Sequence, residues 1–160
     1  MGKIGVALAI AGGAVLLGGC SLGPVACPAV GQVTGVSVTV AGSYSSSVGT
    51  LHLKVCQDSA CHEGDLALYP GTVAVDQGCN EAGVCSATPT FDGTVRGLLE
   101  LPALSETPMD ATMTGTSPSG TALPVRTLTF TPKGSYPFDE QCQRFITASL
   151  VLDAEGLRQE

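Results

Sequence analysis

The sequence predicts an all-β protein: one antiparallel β-sandwich, immunoglobulin-like in architecture only, behind an N-terminal signal peptide. Three observations predict it. Short segments alternate apolar and polar residues with a period of two, as half-buried strands do. Segments rich in Gly, Pro and Ser punctuate them at regular intervals. After residue 20 no stretch carries an i, i+3, i+4 apolar stripe, so no helices interleave the strands.

The strands follow in order. "VSVTV" (36–40) sets Val36, Val38 and Val40 against Ser37 and Thr39, and "LHLKV" (51–55) sets Leu51, Leu53 and Val55 against His52 and Lys54. "TVAV" (72–75) is short and β-branched, and "TVRGLLEL" (94–101) is longer. "VRTLTFT" (125–131) separates Leu128 and Phe130 from Thr127, Thr129 and Thr131, while "FITASLVLD" (145–153) groups Ile146, Ala148, Leu150 and Leu152. The segments "GSYSSS", "YPGT", "TPTFDG", "TGTSPSG" and "TPKGSYP" read as turns. A single helical turn is expected around Asp139 to Arg144. The chain has no Trp, and neither the core Trp nor the inter-sheet disulfide of true immunoglobulin domains is expected.

The amino terminus specifies an address. Lys3 precedes an uncharged run from Ile4 to Leu17. That run is short of the roughly 20 apolar residues that span a bilayer and fits the apolar region of a secretory signal peptide. Small residues Gly18 and Gly19 follow, then Cys20. Leu17-Gly18-Gly19-Cys20 resembles the lipobox of bacterial lipoproteins. The resemblance covers the first 20 residues. It implies that the Cys20 thiol receives a diacylglyceryl group, that cleavage removes residues 1–19, and that the new amino terminus is acylated. Two or three acyl chains anchor a protein stably where one is marginal. The expected location is therefore the outer, extracytoplasmic face of the cell membrane. Residues 20–30 read as the lipidated Cys and a tether, and residues 31–160 as the folded domain. The chain also resembles the small cysteine-containing β-sandwich lipoproteins of high-GC bacteria, a resemblance that assigns no site.

Six cysteines remain, an even number, and in an exported chain that implies disulfides. Cys56 and Cys61 bracket "QDSA", and Cys79 and Cys85 bracket "NEAGV". Both intervals hold turn formers, among them Asp58, Ser59, Asn80 and Gly83, so each pair can meet across a tight turn. Cys27 and Cys142 are left to pair near the two ends of the domain. If the last long strand extends back to Cys142, its parity with Ile146 and Ala148 turns it toward the core. The competing zinc reading uses the four-residue spacing of "CQDSAC" with His62 beside it, but "CNEAGVC" is wider than zinc pairs usually are.

Charge excludes one class. Net charge is −7, and losing Lys3 with residues 1–19 leaves −8. Lys54, Arg96, Arg126, Lys133, Arg144 and Arg158 are scattered singly, so no basic patch exists to neutralise phosphates and nucleic-acid binding is not expected.

Catalytic signatures are absent: no G-x-S-x-G, P-loop, H-E-x-x-H or S-x-x-K occurs. A hydrolytic triad needs a histidine in reach of a nucleophile, and only His52 and His62 exist. His52 reads as a solvated strand residue. "HEGD" sets His62, Glu63 and Asp65 on one acidic loop as candidate cation ligands, with ordinary loop chemistry the plainer reading. Asp76, "FDG" at 91–93 and "DEQ" at 139–141 read as turn chemistry. No catalytic residue, cofactor or metal is expected. The expected function is a lipid-anchored, non-catalytic binding or structural module of the cell envelope, its partner an envelope protein or glycan. The alternative is a small envelope hydrolase, or a protease inhibitor presenting the Cys79–Cys85 loop.

Overall fold

A computed structural model describes residues 26–160. The signal segment and Cys20 lie outside the described residues.

The described chain is mostly β. In order it forms β1 (Gly35–Val40), a one-turn helix α1 (Gly42–Ser45), β2 (Thr50–Gln57), β3 (Ala60–Asp65), β4 (Tyr69–Cys79), β5 (Cys85–Glu100), β6 (Met109–Thr116), β7 (Arg126–Phe130), β8 (Lys133–Ser135), β9 (Phe145–Leu152) and β10 (Leu157–Gln159). One sheet runs β10-β9-β1-β5-β4, with β8 also paired to β9; the other runs β3-β2-β6-β7. The period-two segments supply the core. Val36, Val38 and Val40 of β1, Ala148, Leu150 and Leu152 of β9, Leu51, Leu53 and Val55 of β2, and Met109, Ala111 and Met113 of β6 join in one buried cluster drawn from both sheets. No buried side-chain polar atom lacks a hydrogen-bond partner among the described residues, as a stable interior requires.

Several expectations need correction. The main sheet is mixed: β1 runs parallel to β9, with Val36 opposite Ala148 and Val40 opposite Leu152, whereas its other neighbour β5 is antiparallel. A parallel pair requires a long crossover, and here the chain from β2 to β8 supplies it. Cys142 precedes β9, in a turn where its N–H donates to the Asp139 carbonyl, so strand parity does not place it. That same turn stands where a helical turn was expected. "HEGD" lies within β3, and "YPGT" and "TPTFDG" lie within β4 and β5.

Those last two segments do not reverse the chain; they bend it. Pro70 pairs with Val95 but Thr72 pairs with Phe91, so β5 carries extra residues at this point. Gly93 takes φ +83° there, a left-handed conformation that L side chains adopt at a cost. Opposite it, a Cβ on Gly71 would strike the Thr94 hydroxyl.

Candidate functional site

Beyond this bulge the two strands leave the body of the protein. β1 covers β5 only from Val95 to Glu100, while β4 and β5 remain paired out to Cys79 and Cys85. Every residue from 72 to 91 is exposed. The result is a two-stranded arm with a free edge on each side. Such a hairpin is at best marginal alone, and three local devices hold it.

At the root, Asp92 Oδ1 accepts hydrogen bonds from the Thr94 amide at 2.9 Å and the Thr94 hydroxyl at 2.6 Å, and Oδ2 accepts one from Arg96 at 3.0 Å. These bonds, the hydroxyl of Thr94 foremost, hold the Asp92 carboxyl below the usual carboxylate range. At the tip the Cys79–Cys85 disulfide closes the arm. Inside that ring, Asn80 Oδ1 accepts the amides of Ala82 at 3.0 Å and Val84 at 2.9 Å, a local side-chain turn.

The arm is apolar and acidic. Phe91 is 74% exposed and Val84 63%, and Val73 and Val75 are also exposed. Residues 72–91 contain Asp76 and Glu81 but no Lys or Arg. Natural proteins commonly guard open strand edges with Lys, Pro or bulges; here Pro89 and the root bulge are present, and Lys is not.

Strand register sets the arm's direction. Gly35 pairs with Glu100 and Val40 with Val95, so β5 runs outward past the Val40 end of β1. The Cys27–Cys142 disulfide lies past the opposite end, beside the start of β9. Cys85 to Glu100 spans about 50 Å at strand rise. Arm tip and tether attachment are therefore at opposite ends of one sheet.

The tether end, or base, has its own cluster. Phe138 meets Phe145 edge-on at 6.1 Å, a favoured aromatic geometry. The Arg144 guanidinium stands 5.8 Å from the Tyr136 ring and forms an ion pair with Glu106. That pair holds the Glu106 carboxyl below its usual range and the Arg144 pKa above its own.

The remaining candidates separate. Strand alternation puts His62 on the Val55 face of the β2–β3 hairpin, and Glu63 and Asp65 on the other. There Glu63 pairs with Lys54 at 3.9 Å and Asp65 with His52 Nδ1 at 2.8 Å. The acidic-loop grouping of His62 with Glu63 and Asp65 is thus broken by the pleat. Among the described residues no group of three or more His, Cys, Asp or Glu could hold a metal ion. The Cys56–Cys61 disulfide joins facing residues of the same hairpin.

His62 instead lines an open cavity of about 300 Å³ with Asp58, Ser105 and the apolar Val55, Leu101, Leu104 and Met109. The hydroxyls of Ser105 and Thr107 lie 3.2 and 3.0 Å from Asp58 Oδ2. Among the described residues His62 hydrogen-bonds to neither Ser105 nor Asp58. These residues tie the hairpin turn to the 101–107 loop, assisted by Gln57, whose amide donates to the carbonyls of Ser105 and Thr107 at 3.0 and 2.9 Å.

No helix among the described residues is long and apolar enough to cross a membrane. Comparison with known proteins places nothing beside this chain: no family model, no curated protein and no solved structure matches it.

Proposed function

We propose that the protein is a lipid-anchored binding module of the cell envelope that presents the β4–β5 arm to a partner and carries out no catalysis. The observation that carries this reading is the arm itself. A fold gains no core from an exposed hairpin, yet this one is held by a disulfide, an Asn-centred loop and a carboxylate clamp. Such bracing lowers the entropy lost when a partner binds. Open edges with alternating side chains suit addition of an extended segment as a further strand, and the absence of positive charge favours a basic one. The Leu17-Gly18-Gly19-Cys20 sequence supports export and acylation at Cys20. The two sheets on one core are read as a sandwich of immunoglobulin-like architecture.

The test is affinity capture from envelope extracts with the mature protein and with a Val73→Ser/Phe91→Ser variant. Retention of a component by the parent and its loss by the variant is the expected result. Equal capture by both would remove the arm from the binding surface. A second reading, a protease inhibitor, draws on the ring-closed Cys79–Cys85 loop at the tip. It requires that the intact protein slow an envelope protease and that Glu81→Ala or Val84→Ala relieve the inhibition.

A further inference from the structure

We propose that the base of the domain is a membrane-docking surface. Tyr136 and Phe138, with Val30 beside them, rest in the headgroup region and hold the arm pointing away from the bilayer. This inference rests on the reading of Cys20 as acylated. The bilayer is identified as the occupant by the length of chain between the lipid and the fold.

Six residues lie between Cys20 and Cys27, so seven Cα–Cα steps join them. Fully extended, they reach about 25 Å at most. Without the Cys27–Cys142 bond the first fixed point would be β1, beginning at Gly35. The leash would then be fifteen Cα–Cα steps, or about 50 Å. The disulfide halves it and fixes where it leaves the domain, at the turn before β9. Whatever apolar surface adjoins Cys142 is therefore held close to the acyl chains.

That surface is apolar and aromatic. Val30 is 50% exposed and Tyr136 and Phe138 are each 46% exposed. Val30, Pro137, Phe138 and Phe145 line a common cleft of about 120 Å³, so Val30 and Phe138 form one patch. Tyr136 adjoins it in the chain, next to Pro137. Tyr136 carries the amphipathic ring that favours the bilayer interface, and Val30 and Phe138 supply apolar area to bury there. Asp139 and Glu140 flank the patch, so apolar burial rather than attraction to anionic lipid supplies the affinity, and docking should occur on zwitterionic bilayers. By register, the arm then projects outward from the membrane.

The chain contains no tryptophan, so a single Trp substitution reports one position. The acylated protein is prepared as Phe138→Trp and Tyr136→Trp, with Phe91→Trp on the arm as reference. Each is incorporated into phosphatidylcholine vesicles with and without lipids brominated near the headgroup end of the acyl chain, and its acylation is read by mass spectrometry. Interfacial side chains sit about 5–10 Å into the headgroup and acyl boundary, so loss of Trp emission with brominated lipid is expected in the base variants, with little change in the arm variant. Either base variant suffices if the other does not fold. Acylated protein with all three positions equally unquenched overturns docking and leaves the anchor standing. Protein without acyl groups overturns both. A blue shift in the base variants that follows protein concentration rather than brominated lipid assigns the patch to a second copy and overturns the proposal.

Discussion

Cys27 and Cys142, separated by 115 positions in the chain, are bonded at the end of the main sheet opposite the arm. The bond closes nearly the whole domain into one covalent loop. In the chain-entropy view a longer loop restricts the unfolded ensemble more. Changing both cysteines to Ser should lower stability by about 2–5 kcal/mol. The same double change at Cys56 and Cys61, which closes a separation of 5, should cost less. Denaturant melts of the two double variants check the order; a larger loss at Cys56/Cys61 would contradict the entropy argument.

The β2–β3 turn carries backbone strain. Asp58 and Ser59 both take positive φ, 49° and 70°, as the two central residues of a tight hairpin turn with the strands' own twist do. Neither is glycine. Ser59→Gly should raise stability by about 0.5–1 kcal/mol, since an L residue is disfavoured there. Thermal melts that show a loss would mean that the unfolded-chain entropy of glycine outweighs relief of the turn.

The arm root should respond to acid. The hydrogen bonds to Asp92 depress its folded-state pKa. A depressed carboxylate stabilises the fold fully above its unfolded value, about 4, and the contribution disappears as pH falls through the lower folded value. Melting temperatures of the parent and Asp92→Asn should therefore differ at pH 6 and converge as pH is lowered through the depressed folded value. A constant difference at all pH values would exclude the carboxylate's charge as the cause.

His52→Ala should change little. Its pair with Asp65 is exposed, with the aspartate side chain 93% accessible, and exposed pairs contribute about 0–1 kcal/mol. His62→Ala should likewise leave folding within about 0.5 kcal/mol. Chemical denaturation measures both. Loss of partner binding on His62→Ala would move the binding surface from the arm to the Asp58–Ser105 cavity.

Cys20→Ser should release the protein from membranes. Fractionation with a high-salt wash tests this. Continued sedimentation of the variant with the washed membrane pellet would place the anchor elsewhere.

Local pattern made much of the fold legible in the sequence. β1, β2, β7 and β9 each alternate strongly enough that one face must be buried, whatever lies opposite. The disulfide partners were legible for a related reason: close spacing makes Cys56–Cys61 and Cys79–Cys85 local, and two cysteines were left for the long bond. β6 was missed although Met109, Ala111 and Met113 alternate with Asp110, Thr112 and Thr114, because Met and Ala do not favour strands by themselves. β3, with His62, Glu63 and Asp65 in place of an apolar face, owes its strand form to the turn at Asp58–Ser59 and to β2 beside it. Tertiary structure alone decided the rest. The parallel pairing of β1 with β9 depends on contacts more than 100 positions apart, which no local period encodes. The residues Tyr69–Thr72 and Thr88–Gly93 have turn chemistry, and long pairing of β4 with β5 absorbs it as a bulge rather than a reversal. That pairing carries the chain past the edge of its own sheet and creates an arm whose apolar side chains, in sequence, look like any other strand's.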